Sequence, residues 1–141
     1  MYDEEIEKAV LFYIIFKQEE LDIEEEDFIN IKNKTIARAI IKIKTEKEDI
    51  SILSVQNKIK GKQKEILEYI GNLGNNIYGI TAEGCYNRLK ELSKKRKMFE
   101  LAQNVLTNIV EEENVDIYIQ NCIDQLNKIE KINTKEKTFI E

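Results

Sequence analysis

Few residues in this 141-residue chain could carry out chemistry: it has two cysteines, Cys85 and Cys122, and no histidine. Without histidine there is no Ser–His or Cys–His nucleophile pair, and no imidazole ligand for a catalytic metal. Two thiols alone do not complete a structural zinc site, which needs four nitrogen or sulfur ligands. Cys122 lies on the apolar stripe of a predicted helix, so we interpret it as a small buried hydrophobic residue.

One lysine, Lys62, follows a glycine as it would in a phosphate-binding loop. That motif requires a second glycine five residues before Gly61 and a Ser or Thr after the lysine. The chain has Gln56 and Gln63 at those positions. The many carboxylates cluster on polar faces and in loops, as solvated helix surfaces do. The sequence therefore predicts no catalytic, cofactor-binding or metal-binding residue.

Charge is distributed unevenly along the chain, whose formal net charge is −5. The first 30 residues hold eleven acids and two lysines, whereas residues 86–98 hold six bases and one acid. The acidic total argues against a general nucleic-acid-binding surface, and the run Lys94–Lys97 has no interleaved aromatic side chain for base stacking. Both clusters are explained by solvated helix faces. A sharper interpretation is that the acidic end of one copy faces the basic stretch of a neighbour.

The elements that would position these residues are helices. The chain has no proline, only five glycines and 35% charged residues, which favours an all-α fold over a β-sandwich. Residues 1–80 predict a globule of four or five short helices. The first runs from Glu4 to Gln18 after an Asp3 cap, and is apolar around nearly its whole circumference, so it should be central. The second runs from Asn33 to Lys44, with Phe28 as a core anchor before it.

Two shorter helices follow, one starting near Ser51 and ending before Gly61, the other from Lys62 to Leu73. The breaker cluster Gly71–Asn76 then ends the globule.

No segment approaches the roughly 20 apolar residues of a membrane-spanning helix. The apolar run Ala9–Phe16 is short and follows acids, unlike a signal peptide. We therefore expect a reduced, cytoplasmic protein that does not contact membranes.

Residues 81–132 predict a long antiparallel helical hairpin. Apolar residues recur at three- and four-residue steps along a first helix that Thr81 can cap, and along a second that Asn114 can cap. The short polar connection Glu111–Glu113 between them requires the two helices to run antiparallel. Residues 133–141 are expected to be a tail or the start of a linker.

A bare hairpin buries only one side of each helix, so its other faces need the N-terminal globule or another copy. We therefore expect a protein interface on the apolar residues near and beyond the turn. These are Leu106, Ile109, Val110, Ile119, Ile123 and Leu126.

The order of several short segments resembles the N-terminal domain of bacterial replicative hexameric helicases of the DnaB type. The resemblance extends from Glu4 to about Glu113 and is carried by five segments: Glu4–Leu11, Glu26–Phe28, Asn33–Ile40, Asp49–Leu53 and Tyr86–Lys90. The last of these resembles the tyrosine-containing start of that family's hairpin helix. A basic residue further along that helix falls near Arg96 or Lys97. The resemblance implies that this residue is structural or inter-subunit rather than catalytic.

The resemblance further implies a collar domain. In such helicases the hairpins pair between subunits, a trimer of dimers forms a ring on the motor ring, and primase or a helicase loader docks there. ATP and Mg would bind only in a C-terminal RecA-like motor domain, and DNA would be contacted indirectly. The expected function is thus oligomerisation and partner docking during DNA replication, without catalysis by this chain.

Two alternatives stay open. One is a small all-helical DNA-binding regulator in which residues 90–97 lie along DNA. The other is a stand-alone adaptor that mimics the helicase collar. In that case the chain is a short protein with the collar fold, whereas the helicase hypothesis makes it a fragment of a longer helicase.

Overall fold

The computed structural model describes residues 1–77 and 79–132. In these ranges the fold is all-α, with six α-helices, two short 3₁₀ turns and no strand. None of these helices is long and apolar enough to cross a membrane. The α-helices are α1 (Glu4–Lys17), α2 (Ile31–Thr45), α3 (Ile52–Lys58), α4 (Gln63–Gly71), α5 (Ala82–Asn108) and α6 (Val115–Glu130), and the 3₁₀ turns are Glu25–Asp27 and Ile109–Glu111. The predicted fold class is confirmed.

Short polar side chains start four of the helices, as the sequence predicts. Asp3 accepts hydrogen bonds from the amides of the first turn of α1, and Ser51 accepts one at the start of α3. Thr81 and Asn114 do the same for α5 and α6. Each such cap is worth about 1 kcal/mol because it satisfies an amide that has no partner inside the helix.

The helix bounds differ from the prediction by a few residues where a cap was missed. α2 begins at Ile31 rather than Asn33, because the Asn30 side chain accepts from the Asn33 amide and caps the helix earlier. α1 ends at Lys17 because Gln18 adopts a left-handed conformation with φ of 56°. α4 runs over Gln63–Gly71, and so ends before the predicted Leu73.

The core surrounds α1, which is central as predicted. Five of its apolar side chains are fully covered: Ala9, Val10, Leu11, Ile14 and Ile15. Phe28 is fully buried, which confirms it as a core anchor, and α2 contributes Ile36, Ala37, Ile40 and Ile43. Cys85, Tyr86 and Leu89 of α5 complete the same cluster. The first part of the long helix is therefore packed into the globule.

The second part of α5 forms the hairpin with α6. At 1.5 Å per residue, the 27 residues of α5 extend about 40 Å. Near the turn, the Tyr118 hydroxyl of α6 donates to the Asn104 carbonyl of α5, 3.2 Å away. At the other end Lys128 lines the same cavity as Lys90. α6 therefore runs back along α5, and the predicted antiparallel arrangement is confirmed.

The prediction that Cys122 is a buried hydrophobic residue is wrong, because its side chain is only half-buried. No residue of α6 is fully covered. A helix that packs mainly on one neighbour, as α6 packs on α5, buries one side only. The division at residue 80 stays a prediction, and the predicted tail 133–141 lies outside the described residues.

Candidate interaction surface

The six apolar residues predicted for an interface all lie in the hairpin and are exposed to solvent. Their exposed fractions range from 37% to 86% for Leu106, Ile109, Val110, Ile119, Ile123 and Leu126. Three lie near the turn and three lie on α6. The described chain covers these side chains only in part, and the interface itself stays a prediction.

The exposure follows from a second apolar stripe on each hairpin helix. On α6, Tyr118 and Cys122 are half-buried, whereas Ile119, Ile123 and Leu126 form a separate exposed line at steps of four and three residues. On α5, Leu101 is buried. Phe99 and Leu106 share a face of α5 and are exposed, and Val110 in the 3₁₀ turn that follows α5 is exposed as well. We call these exposed lines the outer stripes. The sequence indicates the apolar residues but not which of the two stripes faces the partner helix.

Covering the outer stripes would release a useful amount of free energy. Full burial of a large apolar side chain is worth about 1.5–3 kcal/mol, so partial burial of the six residues of the outer stripes is worth on the order of 5 kcal/mol. Association costs a comparable amount in lost translation and rotation. The stripes therefore favour association that depends on protein concentration.

The acidic segment of residues 22–27, which we call the acidic strap, crosses the first part of α5. The Tyr86 hydroxyl donates to the Asp22 carbonyl over 3.0 Å. One turn later, the Lys90 ammonium donates to the Asp27 carboxylate over 2.6 Å, and both side chains are 2–3% exposed. Burial raises the pKa of the Tyr86 hydroxyl to about 12, and nearby acids led by Asp22 add to the shift. The ion pair ties the strap to α5 inside the core.

Arg96 and Lys97 continue this contact on the surface. The Arg96 guanidinium donates to the carbonyls of Met1, Glu26 and Asp27 over 2.8, 3.1 and 3.1 Å. The Lys97 ammonium lies 3.3 Å from the Glu26 carboxylate. These bonds fix the chain start and the strap against α5. The acidic and basic clusters thus meet at these positions within one chain.

A buried carboxylate, Glu7 of α1, holds the residues that lead from the acidic strap into α2. It is 1% exposed and accepts from the Ile29 and Asn30 amides over 2.8 and 3.2 Å. It also accepts from the side-chain NH₂ group of Asn33 over 3.0 Å. The side-chain oxygen of Asn33 in turn accepts from the Tyr69 hydroxyl over 2.6 Å. Desolvation raises the pKa of Glu7, against the opposing pull of these hydrogen bonds. Glu7 therefore supports the start of α2 from inside the core.

Sequence reasoning missed Lys90, Asp27 and Glu7 as buried charges. A signal did exist for two of them. Glu7 lies three and four residues before Val10 and Leu11, and Lys90 lies four residues after Tyr86, so both share a helix face with core residues. Asp27 carries no such signal, because it precedes Phe28 in a segment without helical periodicity.

Comparison with known proteins adds a family. The model of the family described as the DnaB-like helicase N terminal domain matches residues 1–91 of the 141-residue chain. That range covers α1 to α4 and the part of α5 that packs into the globule. No curated protein matches the chain.

Proposed function

The chain belongs to the DnaB-like helicase N terminal domain family, and from that premise we propose that it is the non-catalytic N-terminal domain of a replicative DNA helicase. Its proposed role is to build a dimer or hexameric collar and to dock primase or a helicase loader during DNA replication. The observation that carries the proposal is the pair of outer stripes on a hairpin held firmly to the globule.

Self-association would use the hairpin. The buried Lys90–Asp27 pair and the Arg96 contacts fix the direction in which the hairpin leaves the globule. A fixed direction lowers the conformational cost of pairing two hairpins, because less freedom is lost on assembly. Residues of the outer stripes would then be covered by a second copy, and primase or a loader would meet the assembled collar.

ATP and Mg would be bound by a C-terminal motor domain, and DNA would be contacted only indirectly. A DNA-binding regulator is supported less well, because Lys90, Arg96 and Lys97 contact the acidic strap and Arg88 pairs with Glu91 within α5. The cytoplasm is the proposed location, as for other proteins of bacterial DNA replication.

Light scattering of the chain at increasing concentration tests the assembly. We expect a mass that rises to that of a dimer or a higher ring, because the outer stripes become covered. A strictly monomeric mass at high concentration would count against the proposal.

An ATPase assay tests the non-catalytic role. The chain alone should show no ATPase activity, and ATP turnover by the pure chain would overturn this role.

Binding to DNA distinguishes the regulator from the collar domain. A regulator would bind duplex DNA tightly at low salt and lose affinity steeply as salt rises. The collar domain should show no such binding, and should bind primase or a loader from the same host instead.

A further inference from the structure

A second surface lies on the globule, where α2 begins beside the connection from α3 to α4. It is a groove of about 270 Å³, which we call the α2–α4 groove. Its apolar lining consists of Ile31, Ile36, Ile59, Ile66 and the Tyr69 ring. No residue of α5 or α6 lines it. The groove is therefore separate from the hairpin and its outer stripes.

The rim of the groove is basic in a protein that is acidic overall. Lys32, Lys60 and Lys62 line it together with one acid, Glu65. All three lysines are exposed, and none of them is paired with an acid among the salt bridges of the described chain. The Lys32 ammonium instead lies 5.3 Å from the centre of the Tyr69 ring. This rim is complementary to a partner that carries carboxylates.

The wall of the groove is fixed before any partner arrives. The Tyr69 hydroxyl donates to Asn33, which is held in turn by the buried Glu7 carboxylate. Lys62 of the rim and its neighbour Gly61 both adopt positive φ, 24° and 78°, so the chain turns sharply into α4. A preformed groove loses little conformational freedom on binding, which favours affinity.

Ile31 adds exposed apolar surface at the edge of the groove. It is the first residue of α2 and is 80% exposed, although it is a large aliphatic residue on the groove's edge. The volume lies just below the roughly 300 Å³ at which small-molecule sites begin, and it suits a few side chains of a peptide. Apolar side chains on the floor and carboxylates at the rim are what an acidic amphipathic helix offers.

We propose that the α2–α4 groove binds an acidic amphipathic helix of a partner protein. Two apolar side chains one helical turn apart would enter the groove between Ile31 and Ile66, and flanking carboxylates would meet Lys60 and Lys62. This contact is independent of self-association through the hairpin. Loss of either interaction by mutation leaves the other intact, so the two proposals fail separately.

Fluorescence anisotropy of the full chain with labelled peptides tests the proposal. The probe is a helical peptide with leucines on one face and glutamates on the other, and its control is a scrambled peptide of the same composition. We expect the amphipathic peptide to bind. The double variant K60E/K62E should bind it about tenfold more weakly, because two attractions become repulsions.

The matched control is K94E/K95E, which changes the net charge equally on α5, away from the groove. It should keep the wild-type affinity within about twofold, since the loss should depend on position rather than total charge. Equal losses in the two double variants would overturn the proposal, as would failure of the amphipathic peptide to bind.

The apolar part is tested by Ile31→Ser, with Leu53→Ser as the control at another exposed aliphatic residue of the globule. Only the first should weaken the amphipathic peptide. The scrambled peptide or a single-stranded oligonucleotide could bind as tightly as the amphipathic peptide and be weakened equally by K60E/K62E. The groove would then bind any negatively charged molecule, and the proposal would be wrong.

Discussion

The buried ion pair between Lys90 and Asp27 gives the sharpest prediction about stability. Its charged atoms are 2.6 Å apart, and both side chains are almost completely buried. At an effective dielectric constant of about 20, two unit charges at this distance attract by about 6 kcal/mol, and desolvation of both groups offsets much of this. Asp27 is further held by the Glu24 amide over 2.8 Å. Removing one partner alone would leave an uncompensated buried charge.

We therefore expect Lys90→Met to lower the free energy of unfolding by about 3–5 kcal/mol. Urea denaturation followed by circular dichroism at one protein concentration measures this, and an unchanged slope shows that two-state unfolding is retained. Replacing both partners with apolar residues, as in Asp27→Leu/Lys90→Met, should recover part of the loss, because no buried charge then remains unpaired, although the Glu24 amide loses its acceptor.

The matched control is Lys97→Met, on the same helix and toward the same acidic strap. Its pair with Glu26 is longer, at 3.3 Å, and Glu26 is more than half exposed. Solvent screening limits such a pair to less than about 1 kcal/mol. If Lys90→Met lowers the free energy of unfolding no more than Lys97→Met does, the reasoning is refuted. Burial would then not make the loss of an ion pair more destabilising.

Two further predictions concern the globule. Gly74→Ala should lower the free energy of unfolding by about 1–3 kcal/mol, because its added Cβ would lie 2.6 Å from Cε1 of Phe12. Gly71→Ala, where a Cβ meets nothing within 4 Å, is the control, and equal effects in urea denaturation would contradict this. Burial raises the pKa of Glu7 in the folded chain above its ordinary value of 4.5. Protonation of Glu7 therefore stabilises the fold fully below pH 4.5, and this stabilisation is lost as pH rises through the raised pKa. Glu7→Gln should remove this pH dependence, and parallel stability curves for the two proteins between pH 4 and about 7 would show the assignment wrong.

Local features were predictable from the sequence because they depend on neighbouring residues. Thr81 and Asn114 cap their helices through amides three residues ahead. The central position of α1 follows from its nearly all-round apolar surface, which only a core helix can bury.

Contacts between distant segments were not predictable in the same way. Lys90 and Asp27 are 63 residues apart, and their pairing depends on how the strap crosses α5. From composition alone, the acids and bases could equally have met a neighbouring copy. Cys122 was misjudged because periodicity identifies an apolar residue without saying how much of its helix is covered. In α6, only the side toward α5 is covered, and only partly.

We propose that the hairpin's outer stripes join copies of this chain. Sedimentation equilibrium over a range of concentrations tests it most directly, with Ile123→Glu in the outer stripe and Leu53→Glu on α3 as the control. Both residues are exposed, at 43% and 64%, so both variants should keep the wild-type circular dichroism spectrum. The wild type and Leu53→Glu should gain mass as concentration rises, and Ile123→Glu should stay monomeric. A wild type that is monomeric throughout, or an Ile123→Glu variant that assembles as well as the control, would contradict the claim.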